Sequence, residues 1–377
     1  MRVKSATTCR PASSVRRRNP EVKAAAHHTE TGFQNPDPGL RIAGDFWRWQ
    51  RERRRSGVPH PPALGYEAFA AQWSQKPDFT LADDAAPRVW WLGHACVLLR
   101  VDGLWVITDP VLSRRASPLS FAGPSRKVRC VVDVAALPAI DVVLISHNHY
   151  DHLDSATVRA LARRSQSQAR ATRFLVPLGL ASKLRGWGCA DVHELDWWQR
   201  HEHASLSFDC VPAQHWSARG LFDRNRTLWC GWTVRSRRFG FYFAGDTGYW
   251  SGLAEIAKRT GAIDLAALPI GAYAPRWFMQ GQHIDPQQAV QLHRELGARH
   301  SLAIHWGSFE LADDALDEPP QQLQAALAAA GLNQRDFWLL RQGESRAIQD
   351  YRTAIDEQHR HGLPSTNQRE SSFNSRQ

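Results

Sequence analysis

The alternation of hydrophobic and polar positions changes near residue 88, where a helical start gives way to a strand-rich body. Before that point, a short helix is predicted within residues 44–62, "GDFWRWQRERRRSGVPHPP", ending at Gly57 and the prolines. After it, apolar positions alternate around Asp102-Gly103 in "RVWWLGHACVLLRVDGLWVITDP", which is typical of a β hairpin. A near-continuous apolar run, "AIDVVLIS" (139–146), predicts a strand buried on both faces.

Strands and helices alternate in the remaining sequence. We expect strands in "TRFLVPLG", "SLSFDCVPAQH", "LWCGWTVRS", "RFGFYFAGD", "DLAALPIG" and "HSLAIHWG". We expect helices in "DSATVRALARRS", with Asp154 as N-cap, and in "DPQQAVQLHRELG", where Asp285 is the cap and Gly297 the stop. Because the first half is richer in strands and the second half alternates, the pattern predicts an α/β fold. In this fold two sheets pack face to face with helices outside.

Composition limits the class of protein. The 377 residues are 43% hydrophobic and 22% charged, which is ordinary for a globular protein with a substantial core. No apolar stretch is long enough for a transmembrane helix, and the N-terminus lacks the apolar segment of a secretory signal. The six cysteines are scattered without a C-x-x-C pair, so we expect reduced thiols in a cytoplasmic protein.

Positive charge is concentrated at the start of the chain. Residues 1–55 carry +8 of the net charge of +10, and the body is nearly neutral. The predicted domains are a disordered basic arm (1–30), one folded domain (31–348) and a disordered C-terminal tail (349–377). The arm could touch anionic lipid or nucleic acid, or could stay solvated, and the sequence leaves these alternatives open.

Candidate chemistry follows the buried strand directly, in "LISHNHYDHLD" (144–154). His147 and His149 are two positions apart, so in extended backbone they point the same way. Asp151 and His152 follow on the turn and aim at a neighbouring point. So many polar groups after a buried strand are costly unless they bind something, and this pattern indicates a metal site.

Three other strand-like runs also end in ligand-type residues: His215, Asp246 and His305. Because α/β folds place their sites at the carboxyl ends of strands, we expect these residues to meet the first cluster. The two histidines His147 and His149 with one of the later histidines make one set of three ligands. The pair Asp151 and His152 with the other later histidine makes a second set, and Asp246 could bridge the two sets. Such ligands suit zinc, or with less preference iron and manganese, and two ions would hold a hydroxide and grip a phosphoryl or carbonyl oxygen.

Longer motifs carry a resemblance to a known family. "WLGHACVLL", "PAIDVVLISHNHYDHLD", "PAQHWSARG", "FAGDTGYW", "IGAYAPRWFMQGQHIDP" and "SLAIHWGSFELADD" resemble the N-acyl-phosphatidylethanolamine-hydrolysing phospholipase D family of the metallo-β-lactamase superfamily. The likeness runs almost unbroken from about residue 27 to residue 346. It implies an αβ/βα four-layer sandwich, and blocks such as "GQHIDP" are more specific to this branch than the histidine cluster.

The resemblance also implies a set of ligand residues that binds two Zn²⁺ per chain, with other divalent metals as alternatives. One zinc would be held by His147, His149 and His215, and the other by Asp151, His152 and His305, with Asp246 shared. Tyr150, Gln282 and His283 would line the substrate site. Asp246, Tyr150 and His283 are the candidate catalytic residues, since Tyr150 and His283 could donate hydrogen bonds to phosphate or protonate the leaving group.

The implied function is that of a zinc-dependent phosphoric diester hydrolase. It would cleave N-acyl-phosphatidylethanolamine to an N-acylethanolamine and phosphatidic acid by a metal-bridging hydroxide. A phospholipid substrate, a peripheral membrane contact and a homodimer are the partners that this resemblance raises, for a protein expected in the cytoplasm or at a membrane surface. The near-neutral body argues against nucleic acid.

Two other functions stay open at the level of the sequence. One is a metal-dependent hydrolase of the same superfamily that acts on another phosphodiester, a lactone or a nucleic acid. The other is a non-catalytic zinc-binding protein, which would close its metal sites with four protein ligands. Three ligands plus a shared carboxylate leave room for water and so favour catalysis.

Overall fold

The computed structural model describes residues 25–39, 45–82, 86–167 and 171–348. Its strands are β1 (His28–Thr29), β2 (Gly32–Phe33), β3 (Arg88–Gly93), β4 (Cys96–Val101), β5 (Leu104–Thr108), β6 (Val142–Leu144), β7 (Arg173–Pro177), β8 (Asp191–Leu195), β9 (Arg200–His203), β10 (Leu206–Val211), β11 (Gly231–Arg235), β12 (Gly240–Phe243), β13 (Leu265–Pro269), β14 (His300–Ile304), β15 (Phe337–Trp338) and β16 (Ser345–Ala347). Its α-helices are α1 (Phe46–Ser56), α2 (Gly65–Trp73), α3 (Ser155–Gln166), α4 (Ala181–Gly186), α5 (Glu255–Thr260), α6 (Arg276–Met279), α7 (Pro286–Glu295) and α8 (Glu318–Ala329). Short 3₁₀ helices span Phe79–Leu81 and Ser251–Ala254.

Two seven-stranded sheets share one pairing scheme. The first sheet has the order β16-β3-β4-β5-β6-β7-β8, and the second has the order β15-β14-β13-β12-β11-β10-β9. In each sheet the pairs at one end are antiparallel, and the pairs from β5 to β8 or from β12 to β15 are parallel. The parallel strands end at one edge of each sheet, which is where the predicted ligands follow.

The core lies in layers. Val97 and Leu99 of the first sheet belong to one buried cluster with Phe208 and Trp232 of the second, so the sheets pack face to face. A second cluster lies on the other face of the first sheet, against α3 and α4. α7 and α8 cover the second sheet through residues such as Leu292 and Leu323, which also belong to the first cluster. Full burial of one such apolar side chain contributes roughly 1.5–3 kcal/mol. The predicted αβ/βα four-layer sandwich, with helices outside two sheets, is confirmed.

Local signals in the sequence agree with the elements. Asp102 and Gly103 turn the β4–β5 hairpin, both with positive φ, as a tight two-residue turn requires. Asp154 caps α3 by accepting a hydrogen bond from the Ala156 backbone N–H, and Asp285 forms a capping box at α7. α1 ends at Gly57 in the left-handed conformation. The strand expected over 139–146 is shorter, since only Val142–Leu144 pair with neighbours.

The start of the described chain differs from the predicted disordered arm. Residues 28–33 form the small β1–β2 hairpin, and Asp196 accepts hydrogen bonds from the side chains of both His27 and His28. Ordering therefore begins before residue 31, because these side chains have partners within the body. Residues 1–24 of the predicted arm and the predicted tail (349–377) lie outside the described residues. Among the described helices, none has the length and apolar character needed to cross a membrane.

Candidate metal centre

The structure brings all seven predicted ligand residues together at the edge where the parallel strands end. His147, His149, Asp151 and His152 follow β6 of the first sheet. His215, Asp246 and His305 follow β10, β12 and β14 of the second sheet. The loops that carry them approach closely at Gly245, which has a φ of 59°, and a Cβ there would lie 2.8 Å from the Ser146 Cβ. Glycine is therefore required beside Asp246.

His147, His149 and His215 form one group of three. The Nε2 of His147 lies 2.8 Å from the Nδ1 of His149, and the Nε2 of His215 lies 3.2 Å from the same Nδ1. The Oδ2 of Asp246 is 3.9 Å from the His147 Nε2 and 3.7 Å from the His215 Nε2. Three imidazole nitrogens and a carboxylate oxygen thus face one point.

Asp151, His152 and His305 form the neighbouring group. The Asp151 Oδ2 lies 3.3 Å from the His152 Nε2 and 3.4 Å from the His305 Nε2. Asp246 reaches this group too, with its Oδ2 3.0 Å from the His152 Nε2 and its Oδ1 3.2 Å from the His305 Nε2. Asp246 is therefore shared by both groups, in the position expected for a bridging carboxylate.

The side chains fit a pair of divalent metal ions. Zinc binds nitrogen and oxygen ligands at about 2.0–2.2 Å in a tetrahedron, whose corners are then roughly 3.3–3.5 Å apart. The distances between the facing atoms scatter around that spacing. The Nε2 atoms of His152 and His305 and the Oδ1 of Asp246 are buried without a hydrogen-bond partner among the described residues. Buried polar atoms are costly unless paired, so these atoms are arranged for a ligand.

Outer atoms hold three of the imidazoles in place. The His152 Nδ1 donates to Asp109 over 2.7 Å, and the His147 Nδ1 contacts the Ser146 Oγ at 2.9 Å. The His215 Nδ1 donates to the backbone carbonyl of Gln282 over 2.9 Å. Such bonds fix the tautomer and orientation of a metal-binding histidine, and leave the inner nitrogen free to bind.

Burial keeps several imidazoles neutral. It lowers the pKa of His149 to about 4 and the pKa values of His215 and His283 to about 3. Burial, together with the neighbouring His152, lowers the pKa of His147 well below its usual value. A neutral imidazole is the form that binds a metal ion.

The two carboxylates and their nearest histidines shift in opposite directions. Burial would raise the pKa of Asp246, but His152 and His305 hold it well below its usual range. Burial would lower the pKa of His305, but Asp246 and Asp151 raise it to about 9. These opposed shifts reflect a dense cluster in which the carboxylates keep their negative charge.

Two residues of the centre were missed by sequence reasoning. His94, which follows β3, places its Nε2 3.0 Å from the Asp151 Oδ2, and its backbone carbonyl accepts from the His305 N–H. Asp109, which follows β5, is fully buried and accepts the His152 bond. Both lie at strand ends, so the rule that identified His215 and Asp246 would have found them. Burial raises the pKa of Asp109, and burial lowers that of His94 to about 3.

Two of the predicted substrate residues lie beside the ligands. Gln282 and His283 are buried and line the same cavity as His149, Asp246 and His305. The Oε1 of Gln282 and the Nδ1 of His283 have no hydrogen-bond partner within the described residues. Both side chains can therefore bind a polar group of a ligand.

Tyr150 is placed differently from the expectation. Its hydroxyl donates to the backbone carbonyl of Arg219 over 2.9 Å, and it is not among the residues that line the cavity. Arg219 in turn lies over the Tyr150 ring at 3.9 Å and donates to the carbonyls of Asn148 and Leu153, over 2.8 and 2.7 Å. Arg219 thus holds both ends of the loop from Asn148 to Leu153, which we call the ligand loop. We call these contacts the clamp, and the Tyr150 hydroxyl bonds to it.

A cavity of about 670 Å³ opens over the centre. Its floor carries the polar ligand side chains. Its wall is largely apolar, formed by Phe46, Trp49, Ala272, Phe278, Met279 and Leu311 together with Trp216 and Arg224. Trp49 is fixed there by stacking on Phe278 at 4.8 Å and by its indole N–H, which donates to Asp313. An apolar pocket with a polar floor suits an amphipathic ligand.

Comparison with known proteins agrees with this centre. Residues 104–306, which contain all seven predicted ligands, match the model of the beta-lactamase superfamily domain. A solved structure of a metallo hydrolase from Ignicoccus hospitalis has a TM-score of 0.54 and 20% identity to this chain. The structural match covers 70% of this chain and 99% of the Ignicoccus chain. At that identity the likeness concerns the fold.

Two relatives are closer in sequence. An uncharacterized protein of Mycobacterium tuberculosis is 42% identical over 255 residues, 66% of each chain. A Caenorhabditis elegans protein named N-acyl-phosphatidylethanolamine-hydrolyzing phospholipase D 1 is 42% identical over 231 residues, 59% of this chain and 64% of that protein. The chain spans just under two thirds of the length of these curated relatives.

Proposed function

The chain belongs to the metallo-β-lactamase superfamily as a metal-dependent hydrolase, and we propose that it is a di-zinc phosphodiesterase of the phospholipase D type. Its substrate is N-acyl-phosphatidylethanolamine, and its products are an N-acylethanolamine and phosphatidic acid. One observation carries the proposal: two ligand groups that share Asp246 lie at the floor of an apolar cavity. The name of the nematode relative supports the same substrate.

His147, His149 and His215 would hold one zinc ion, and Asp151, His152 and His305 the other, with Asp246 between them. Two bound zinc ions supply a water-derived nucleophile at neutral pH and polarise a phosphoryl oxygen. The protein's part is to fix the ligand geometry. Asp109 and Ser146 do this from behind by orienting His152 and His147.

His283 and Gln282 bind the substrate in this proposal. Burial keeps the His283 ring neutral, with a pKa of about 3, so the ring offers one N–H donor to a phosphoryl oxygen rather than an acidic proton. The free Oε1 of Gln282 accepts from the amide N–H of the N-acyl group. The Tyr150 hydroxyl is engaged with Arg219, so we assign it no proton transfer.

The apolar wall takes the acyl chains. Phe46, Trp49, Phe278 and Leu311 offer hydrocarbon and aromatic surface next to the ligand groups. A phosphodiester at the centre would leave its chains against this wall, where burial of each methylene contributes about 0.8 kcal/mol. A nucleic-acid substrate would instead need polar and cationic surface, so the wall favours lipid over that alternative.

The direct test is hydrolysis by the purified, zinc-loaded chain. N-acyl-phosphatidylethanolamine, phosphatidylcholine and bis(p-nitrophenyl) phosphate are each supplied in mixed micelles, and the products are identified by mass spectrometry. We expect N-acylethanolamine from the first lipid, and little choline from the second. Asp246→Asn, which changes one atom at the shared position, is the matched inactive control. Hydrolysis of the small diester without release of any N-acylethanolamine would leave a metal-dependent hydrolase with another substrate.

A further inference from the structure

Large apolar side chains protrude from three segments. Leu221 is 91% exposed and Phe222 is 86% exposed, at the tip of residues 217–226. Phe121 is 77% exposed, within residues 113–125. Trp47, in the first turn of α1, is 76% exposed. We call residues 217–226, residues 113–125 and the first turn of α1 the rim.

The three segments of the rim are neighbours around the cavity mouth. Phe46 of α1 and Arg224 of residues 217–226 line the cavity together. Residues 113–125 reach the same place through Ala116, which lies in one apolar cluster with Tyr150 and Leu311. Tyr150 is hydrogen-bonded to residues 217–226 through the Arg219 carbonyl, and Leu311 lines the cavity. The three segments that carry the exposed apolar tips therefore lie next to one another beside the cavity.

The rim also carries an arginine, Arg224, without an acidic partner among the described residues, whereas Arg48 in the first turn of α1 is paired with Glu52. The Arg224 guanidinium lies 4.3 Å from the centre of the Trp216 ring, and it has no hydrogen bond or ion pair among the described residues. Arg226 in the same loop is exposed. Arg51, Arg54 and Arg55 of α1 are also exposed, although they lie beyond its first turn and therefore outside the rim. The nearby carboxylate of Asp223 is engaged by the backbone N–H groups of Arg219 and Gly220. Apolar tips flanked by arginines are complementary to an anionic lipid surface.

We propose that the rim docks on the surface of an anionic phospholipid bilayer. Leu221, Phe222 and Phe121 enter the interfacial layer, while Arg224 and Arg226 lie against lipid phosphates. Docking in this way turns the cavity mouth to the bilayer, so that acyl chains pass from the membrane to the apolar wall without crossing water. The inference rests on the proposed lipid hydrolysis, because it supplies the route by which that substrate arrives.

The test is sedimentation of the full chain with vesicles. One set contains phosphatidylcholine alone, and the other also contains phosphatidylglycerol; neither contains the substrate. We expect binding to the anionic vesicles that falls with rising salt, because each arginine near an anionic surface contributes about fivefold in affinity. The double variant Leu221→Ser/Phe222→Ser should bind at least about tenfold more weakly. Arg224→Gln/Arg226→Gln should lose the preference for anionic vesicles.

A control comes from an exposed apolar residue outside the rim. Leu81 is 46% exposed next to Phe79, which packs on Trp90 and Trp105 of the first sheet, and Leu81→Ser should bind vesicles as the unchanged chain does. Hydrolysis of a soluble small diester by Leu221→Ser/Phe222→Ser should stay within about twofold, which shows that the centre is intact.

The outcomes separate the two proposals. Unchanged vesicle binding by the Leu221→Ser/Phe222→Ser variant would overturn the docking surface, even if N-acyl-phosphatidylethanolamine is hydrolysed. If vesicle binding depends on the rim but no N-acylethanolamine is released, the proposed docking surface stands and the proposed substrate is wrong. A change in the oligomeric mass of that variant by light scattering would instead identify the rim as an interface between copies of the chain, which also overturns docking.

Discussion

Two clusters in this protein are built from the same residue types, histidine and aspartate, but they differ in whether their polar atoms have hydrogen-bond partners. One is the metal centre, and the other is formed by His27, His28 and Asp196, which we call the hairpin cluster. In the hairpin cluster, and within each ligand group of the metal centre, the candidate ligand atoms lie within 4.8 Å of one another. In the metal centre, inner atoms such as the Nε2 of His152 and of His305 are buried without a hydrogen-bond partner among the described residues. In the hairpin cluster, each oxygen of Asp196 accepts from one Nε2, over 2.6 and 2.8 Å.

The comparison teaches that residue types and spacing do not identify a metal site by themselves. The hairpin cluster satisfies its own hydrogen bonds, so it can serve as a structural tie that joins the β1–β2 hairpin to the body. The metal centre cannot satisfy its inner atoms without a ligand. The unpaired buried atom is therefore the feature that separates the two clusters.

The largest effect is expected from removal of metal or of the shared carboxylate. Treatment with a chelator and the substitution Asp246→Asn should each lower hydrolysis by at least about 100-fold, because Asp246 serves both ligand groups. Elemental analysis should show a loss of bound metal in step with activity. Asp196→Asn, the same change in the hairpin cluster, should keep its metal and its activity. Equal metal loss from both variants would erase the distinction between the clusters.

A smaller effect is expected behind the ligands. Asp109→Asn weakens the bond that orients His152, so metal affinity should fall about 10–100-fold. The measurement is competition with a chromogenic chelator, followed by zinc titration. Asp209, a buried carboxylate that accepts from Arg200 and Thr233 at a distance from the centre, provides the control. Asp209→Asn should release zinc at the same chelator concentration as the unchanged chain.

A still smaller loss of activity is expected from changes to the clamp that Arg219 forms on the ligand loop. Arg219→Ala removes the donor to the Asn148 and Leu153 carbonyls, and we expect about a tenfold loss of kcat/KM with faster zinc loss. Tyr150→Phe deletes one hydrogen bond to this clamp and should cost no more than about fivefold. A loss of several hundredfold in Tyr150→Phe, with full zinc content, would instead make the hydroxyl a catalytic proton donor.

The smallest effect concerns the hairpin cluster itself. Asp196→Asn should lower the free energy of unfolding by about 1 kcal/mol, measured by urea denaturation. Burial would raise the pKa of Asp196, but its hydrogen bonds with His27 and His28 hold it below its ordinary value of 3.8. The stabilisation is therefore present above pH 3.8 and is lost as the pH falls through the lowered pKa. Equal stability of the variant and the unchanged chain at pH 6 would show that the tie contributes nothing.

The ligands could be predicted because they obey a local rule. His147, His215, Asp246 and His305 all follow apolar runs that read as strands, and the parallel ends of those strands meet in space. The same rule applied to His94 and Asp109 would have completed the centre. The position of each ligand thus depends mainly on the strand that precedes it.

Other features depend on contacts between distant segments, which no local pattern reveals. The Tyr150 hydroxyl meets the Arg219 carbonyl only because two loops pack together, 69 residues apart in the chain. β16 has three residues, yet it forms the edge of the first sheet by pairing with β3. The hairpin cluster likewise joins residues 27 and 28 to residue 196. In each case tertiary packing decides the partner, and short segments have weak preferences of their own.

The division of the ligands between the two sheets has a consequence for the lifetime of the protein. One sheet supplies His147, His149, Asp151 and His152, and the other supplies His215, Asp246 and His305. Metal ions bound there would therefore link the two sheets directly. Anything that binds the native chain and not the unfolded one stabilises it in proportion to its supply. A shortage of the bound metal should then shorten the survival of the polypeptide against proteases, so that the amount of protein in the cell, as well as its activity, would depend on the metal supply.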